Sequence, residues 1–462
     1  MRRVALALVV VVLLAGCLSP GGAYHGATGQ ADPPVDTLGW EAGYWYDEPI
    51  DVTTGDGLND SELDAVLART MARVERIRGL EFETTVDVEV ISRAELRERW
   101  GRSRPARVHD WRDQVWEGLF VVDERTNASR ARGEVFGRSV VGFYAPAQDR
   151  IVLVSDDPDA AAVDRATLAH ELVHALQDQH LALGFGRTTM DGRAGANGLV
   201  EGDANYVMHR YEDRCAAAWD CLERPPRGAG GSDAANRGLF VAVFAPYSDG
   251  PTLVAALRER GGWTAVNRAY RDPPASSEQV VHPERYPDDE PTNVTVADRS
   301  GPQWAPFAPT DRRRPAEVVG EVGVFTMLWA NGVVPESALQ SDDPLSPYDY
   351  AAPASEGWEG DALVPYRSGD RFGYVFRTTW ERPADAREFR AAYVEVLRTN
   401  GARERADGVY RIPEGEPYAD AFRVVRNGTT VTVVNAPTVA ALDRVHDPRD
   451  GTGSRDHHPF RR

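Results

Sequence analysis

His170-Glu171-Leu172-Val173-His174-Ala175-Leu176-Gln177-Asp178-Gln179-His180 is the stretch on which the reading of this 462-residue sequence turns. Its first five residues have the spacing His-Glu-x-x-His. On an α-helix, residues four apart lie about 40° apart around the axis, so His170 and His174 can hold one metal ion between them. Glu171, one step round, can reach a water on that metal rather than the metal itself. The flanks agree with a helix. Asp164 stands where an N-cap is needed, Ala166, Leu168, Ala169, Leu172, Val173, Ala175 and Leu176 are apolar, and no Gly or Pro occurs before Gly184. A surface helix whose two histidines share a face by chance is the plain alternative.

A catalytic metal needs a third protein ligand and one open position. His180 follows His174 by six residues, but nothing breaks the helix at Gln177 midway. Six residues of helix carry His180 about 240° round, off the metal face, which leaves it a solvent-facing or capping role. Glu201 is the better candidate. It lies in Asn197-Gly198-Leu199-Val200-Glu201-Gly202-Asp203-Ala204-Asn205-Tyr206, the start of a second helix running toward Cys215. A carboxylate with two imidazoles suits zinc, and Asp203 or Asn205 could support a ligand histidine from behind. The alternative for Glu201 is an ordinary solvated helix carboxylate.

The chain ends narrow the compartment. Arg2 and Arg3 precede an apolar run from Val4 to Leu14, followed by Ala15-Gly16-Cys17. This reads as a signal peptide with a lipobox over residues 1–17, too short for a comfortable membrane span. Lipidation of Cys17 would tether the protein to the extracellular face of the cell membrane. No other segment reads as a membrane span. Cys215 and Cys221, the remaining cysteines, read as a local disulfide in an exported protein. Asn127, Asn293 and Asn427 each open a glycosylation sequon.

The charge is unusual in kind. All 52 basic residues are Arg, against 71 Asp and Glu, a net charge of −19. Such a surface repels nucleic acid, which is therefore not an expected partner. An acidic chain without Lys matches the proteome style of extremely halophilic archaea, where concentrated salt screens dense carboxylates. An acidic protein of a GC-rich bacterium is the alternative.

Read in order, residues 18–50 form a flexible spacer, and Asn59 to Arg78 has an amphipathic helical pattern. Phe82 to Ile91 alternates as a strand, and Arg93 to Trp100 and Trp111 to Val122 read as helices. Arg125 to Gly133 reads as a loop. Ser139 to Tyr144 and Arg150 to Ser155 read as two strands just before the motif helix. Pro251 to Arg260 and Trp263 to Arg271 read as short helices, and Pro315 to Asn331 as an apolar one. The string Glu278-Gln279-Val280-Val281-His282-Pro283-Glu284-Arg285-Tyr286 has no periodic explanation, and it concentrates groups that could line a cleft. Residues 336–357 read as a linker and 358–445 as a small α+β module, with a hairpin turn at Asn427-Gly428. Residues 446–462 read as a disordered tail, His457-His458 included.

These blocks resemble a family of prokaryotic surface lipoproteins with a zincin-like domain, in particular its haloarchaeal members. The resemblance rests on Gly142-Phe143-Tyr144, the block from Leu168 to Gln179, Glu201-Gly202-Asp203-Ala204, the string from Glu278 to Tyr286, and Gly357-Trp358-Glu359-Gly360-Asp361. It spans about two-thirds of the mature chain and implies an α+β fold with a gluzincin-type metal site. The catalytic domain is then expected over residues 51–335.

The expected function is a membrane-tethered extracellular zinc metallopeptidase acting on a peptide or protein. His170, His174 and Glu201 hold Zn2+, and Glu171 serves as general base. His282 is the expected donor to the tetrahedral oxyanion, with Tyr286 behind it. A non-catalytic cell-surface or envelope protein built on the same fold is the alternative.

Overall fold

The computed structural model describes residues 33–53, 57–101, 111–155, 163–224, 236–308 and 315–447. The expected signal peptide, Cys17, the beginning of the spacer and the tail beyond residue 447 lie outside them.

The described chain opens with a hairpin, β1 (Trp40–Glu41) and β2 (Tyr44–Trp45), laid against α1 (Asp60–Arg78). The spacer expected to reach residue 50 therefore ends sooner, because the aromatic run from Trp40 to Tyr46 supplies surface worth burying. A carboxyl pair secures the contact. Glu41 and Glu75 are both buried, and Glu75 accepts the N–H groups of Gly39 and Phe82, each at 2.8 Å. α1 starts in a reciprocal capping box between Asn59 and Glu62 and stops at Gly79, whose φ of 74° is left-handed.

Next come β3 (Asp87–Ser92), α2 (Arg93–Gly101), α3 (Trp111–Gly118), α4 (Ala128–Ser139), β4 (Gly142–Ala145) and β5 (Arg150–Ser155). The strands form a sheet of order β3-β5-β4, with β3 parallel and β4 antiparallel to β5. β4 is thus an edge. Most of the expected loop at Arg125–Gly133 is instead the start of α4. Asn127 caps it by accepting the N–H of Arg130 at 2.9 Å, and Ala128, Ala131 and Val135 form a buried face that the intervening arginines disguise.

Three long helices follow: α5 (Arg165–His180), α6 (Met190–Ala217) and α7 (Arg237–Ala269). α6 starts seven residues ahead of Asn197, in a stretch where Gly192 and Gly195 weaken any helical reading. Two of its glycines are required by packing. A Cβ on Gly202 would lie 2.4 Å from the Gly250 carbonyl of α7, and one on Gly250 would lie 2.3 Å from the Gly198 carbonyl. The two backbones cross in contact there. α7 joins the two expected short helices and extends them back through Pro251 and Pro246, keeping a break at Gly261 and Gly262. Among the described helices it alone is long and apolar enough to cross a membrane, but 56% of that stretch is buried inside the protein. The core beneath α5 joins Leu168, Leu172, Val173 and Leu176 to Met71 and Val74 of α1, Ile151 and Leu153 of β5, and Val207 of α6.

The rest contains α8 (Glu278–Val281), β6 (Ala305–Pro306), α9 (Gly320–Ala330), β7 (Trp358–Ser368), β8 (Arg371–Trp380) and α10 (Pro383–Thr399). It closes with β9 (Arg403–Ala406), β10 (Val409–Arg411), β11 (Ala421–Asn427), β12 (Thr430–Ala436) and α11 (Val439–Val445). Seven strands form one antiparallel sheet of order β6-β7-β8-β12-β11-β10-β9, and Asn427 pairs with Thr430 across the expected hairpin turn. The sheet is not set apart from the helices. One core gathers Trp111 and Val115 of α3, Leu239 and Val241 of α7, Phe325 of α9, Phe376 and Trp380 of β8, and Phe389 and Tyr393 of α10. Residues 336–357 do not behave as a linker. Leu339, Tyr350 and Ala352 sit in that same core, and the Tyr350 hydroxyl donates to the Val241 carbonyl at 2.7 Å. The fold is mixed α+β.

Candidate metal centre

α5 is fixed at its start and along its inner face. The Asp164 carboxylate accepts the N–H groups of Ala166 and Thr167 at 3.0 and 2.9 Å, and Arg165 pairs with Glu212 of α6 at 2.8 Å. Leu168, Ala169, Leu172, Val173, Ala175 and Leu176 are fully buried, so the helix cannot roll. What remains is the face carrying His170 and His174.

Three donor atoms converge above that face. Nε2 of His170 and Nε2 of His174 are 3.1 Å apart, and Oε2 of Glu201 lies 3.4 and 3.3 Å from them. These are the edges of a tetrahedron. Ligands about 2.0–2.1 Å from a central ion stand about 3.3 Å from one another. The Glu201 oxygen is buried without a conventional hydrogen bond, which is costly unless something else meets it. Burial pulls the His174 pKa down, yet the Glu201 carboxylate outweighs it and lifts His174 to about 9. Glu201 is itself pushed up by burial but held well below the ordinary carboxylate range by the two imidazoles. A carboxylate and two imidazoles drawn together this closely are a set that one divalent cation satisfies at once.

Groups behind the donors set their orientation. Nδ1 of His174 is 2.8 Å from Oε1 of Gln177, and the Gln177 amide donates to the Val200 carbonyl and the Tyr270 hydroxyl at 2.9 and 2.8 Å. Tyr270 donates to Asp203 at 2.9 Å, and Asp203 forms a fully buried ion pair with Arg78 of α1 at 2.9 Å. Asp203 therefore supports His174, at two removes. Asn205 supports the site differently, by donating to the Tyr247 carbonyl at 2.8 Å.

Glu171 stands beside the donor set with 6% of its surface exposed. Burial raises its pKa, and the two imidazoles and the main-chain N–H of Tyr144 on β4 oppose this. β4 can lie this close to α5 because residue 142 is Gly. A Cβ there would come within 2.8 Å of the Thr167 methyl.

Tyr247 of α7 belongs to the site, and sequence reasoning missed it. Burial and the neighbouring Glu201 carboxylate push its phenol pKa well above the ordinary range. Its ring stacks over His170, with centroids 6.4 Å apart and planes 20° apart. From there Phe244 and Phe240 continue along α7, at 5.8 and 5.2 Å between neighbouring centroids, and Tyr348 closes edge-on against Phe244 at 5.4 Å. The four-residue step from Phe240 to Phe244 was the available signal, obscured by Pro246.

His282 does not join the donor set. Its Nε2 meets the buried Glu321 of α9 at 3.2 Å, and Tyr286 donates its hydroxyl to the Asp272 carbonyl. The string around them braces the fold. Gln279 accepts the N–H of Ala275 and donates to the Asp289 carbonyl, both at 2.7 Å, while Ser277 donates its N–H and hydroxyl to Asp191 of α6. Asp361 likewise accepts the N–H groups of Val319 and Gly320 at 2.9 Å, at the start of α9. His180 is turned away from the metal face and bonds the Glu81 carbonyl. A disulfide joins Cys215, in the last turn of α6, to Cys221 beyond it. Of the sequon asparagines, Asn293 and Asn427 are exposed, whereas Asn127 uses its side chain to cap α4 and to donate to Asp113.

A domain of unknown function (DUF8575) matches residues 308–446, less than a third of the chain, and those residues exclude the metal-facing set. No curated protein and no solved structure matches the chain.

Proposed function

We propose that this chain is a zinc-dependent peptidase with a zincin-like catalytic region, held at the outer face of a membrane by a lipid on Cys17. The observation that carries the reading is the tetrahedral spacing of the His170, His174 and Glu201 donor atoms with the Glu171 carboxylate beside them. Two nitrogens and one carboxylate oxygen, with one corner open, is the ligand set of a catalytic rather than a structural zinc. When bound, zinc polarises the scissile carbonyl and acidifies the attacking water.

The chain's own groups supply the rest. Glu171, its basicity raised by burial, accepts the proton of the attacking water and delivers it to the leaving amine. Tyr247, whose ring stacks over His170 and whose phenol feels the Glu201 carboxylate, is the side chain we assign as donor to the developing oxyanion, the role expected of His282. β4, an edge strand whose Tyr144 N–H faces the site, offers a ledge along which an extended peptide can add as a further strand. The half-buried file of Tyr247, Phe244 and Phe240 favours substrates with an aromatic or large apolar side chain near the scissile bond.

The test is Glu171→Gln, assayed in concentrated salt with a peptide library and metal analysis side by side. Wild type should carry one zinc and cleave; the variant should carry one zinc and not cleave. Zinc in wild type with no turnover of any peptide would favour the non-catalytic surface protein instead.

A further inference from the structure

Arginines collect where α1, α6 and α7 pack together, in a chain whose net charge is −19. Arg210 and Arg214 stand one turn apart on α6. Arg210 and Arg258 of α7 share one ring, their guanidinium carbons 5.3 and 5.4 Å from the Tyr206 centroid. Arg214 lies 5.1 Å over Trp219, whose ring centroid is 6.2 Å from that of Tyr46, just after β2. Arg76 of α1 completes the row, 5.5 Å over Tyr46. Beneath it, the buried Arg73 is 4.8 Å from the Trp219 ring, so that tryptophan carries an inner and an outer arginine.

Carboxylates do little to neutralise this row. Among the described residues only Asp213, 3.2 Å from Arg210, comes within ion-pair distance of any of the four outer arginines. Arg258 donates to the Tyr206 hydroxyl at 2.9 Å, while the side chains of Arg76 and Arg214 donate to no described group. Nη1 of Arg214 is buried without a partner. Burial lowers the Arg214 pKa, and Arg76, Arg210 and Arg258 lower it further, a repulsion that a bound anion would relieve. A guanidinium over an aromatic face keeps N–H edges free to fork onto an oxyanion. Arg76 is exposed and the Arg210 side chain is 41% exposed, so the row is open to a partner from outside.

We propose that Arg76, Arg210, Arg214 and Arg258 dock the protein on a membrane by binding the phosphates of anionic lipid headgroups. The choice of a membrane rests on the lipid tether proposed at Cys17. Pro33, where the described chain begins, lies 16 residues after Cys17, a reach of at most about 58 Å. The chain then meets the row almost at once, since a Cβ on Gly39 would lie 3.1 Å from the Tyr46 ring and 3.7 Å from Arg76. A lipid and a basic patch are the pair of signals that makes membrane attachment lasting. Concentrated salt screens the repulsion between headgroups and the acidic remainder of the surface beyond about 3 Å, while guanidinium and phosphate in contact keep their hydrogen bonds. Glu201 precedes Arg210 by nine residues on α6, about 14 Å along the helix. Docking would therefore hold the metal centre at a set height above the headgroups.

The experiment uses the chain from residue 17 onward without a lipid, in molar potassium chloride, so that attachment through Cys17 plays no part. Vesicles of phosphatidylglycerol and phosphatidylcholine in equal parts should sediment the protein, and vesicles of phosphatidylcholine alone should leave it in solution. Arg210→Gln with Arg214→Gln should weaken binding at least about tenfold, with circular dichroism and zinc content unchanged. Arg403→Gln with Arg405→Gln, which removes the same charge from β9, should leave binding as it was. No binding to the mixed vesicles would overturn the proposal, as would equal loss in the two double variants. Tighter binding to soluble polyphosphate than to the vesicles would overturn the membrane as partner, in favour of a dissolved polyanion. The tether is read separately, from the mass of the N-terminal peptide of protein extracted from cells. A lipidated Cys17 without vesicle binding sinks the docking alone, and vesicle binding with an unmodified Cys17 sinks the tether alone.

Discussion

Oε1 of Gln177 lies 2.8 Å from Nδ1 of His174, one helical turn along α5 from the nitrogen that faces the metal position. The contact fixes the imidazole tautomer, because an amide oxygen can only accept, so Nδ1 carries the proton and Nε2 presents its lone pair. Gln177→Leu keeps the helix and the buried volume but loses that acceptor. Zinc affinity should fall about 10- to 100-fold, read by competition with a chromogenic chelator.

The third ligand is decided by comparing two variants. Glu201→Ala should empty the site on dialysis against a mild chelator, since it removes a donor held 3.3–3.4 Å from both imidazoles. His180→Ala should retain zinc, because His180 bonds the Glu81 carbonyl instead. The opposite pattern of metal contents would overturn the assignment of Glu201.

Tyr247→Phe removes one hydroxyl and leaves the stack on His170. Losing one oxyanion donor costs about 10²–10³ in kcat, so turnover should fall by that order with zinc content unchanged. Phe244→Ala should act on selectivity, with KM rising for peptides bearing aromatic side chains and changing little for alanine-rich ones. Equal loss on both peptide classes would remove the aromatic file from recognition.

The hairpin at the start of the described chain should respond to pH. Burial and the neighbouring Glu75 raise Glu41 from an ordinary 4.5 to about 9, so the folded protein keeps a proton there that the unfolded chain releases. That contribution to stability is fully present below pH 4.5 and drains away as pH rises toward about 9. Amide exchange at residues 40–45 should therefore quicken across that window. Glu41→Gln, which cannot ionise, should reduce the dependence and leave the part carried by Glu75, which burial raises to about 7.

The parts of the site legible in the sequence are those decided over short distances. His170, His174 and Glu171 follow from the pitch of one helix, and Glu201 from the helix immediately after it. Tyr247 was hidden because its approach depends on the bare backbones of Gly202 and Gly250 meeting between α6 and α7, which no local pattern announces. Pro246 and Pro251 also disguised the helix that carries it. His282 misled for the converse reason, since a string rich in Glu, Gln, His and Arg looks alike whether it lines a cleft or braces a loop. Residues 336–357 read as a linker because Ser, Asp and Pro dominate them, while Leu339 and Tyr350, which settle the matter, are only two side chains.

The aromatic core shared between α3 and the seven-stranded sheet bears on where the protein can be divided. Gly118 approaches β7 so closely that a Cβ there would come within 2.8 Å of Leu363. Trp111, Val115, Leu119 and Phe120 cover the sheet around it. The matched domain begins at residue 308 and leaves all of these behind. Cut out by itself, it would turn a contiguous apolar face to water, the condition under which a chain aggregates or finds another surface. The segment that recurs as a sequence unit is thus not a self-sufficient folding unit here, and soluble expression of residues 308–446 should require the α3 region supplied alongside, on the same chain or as a second one.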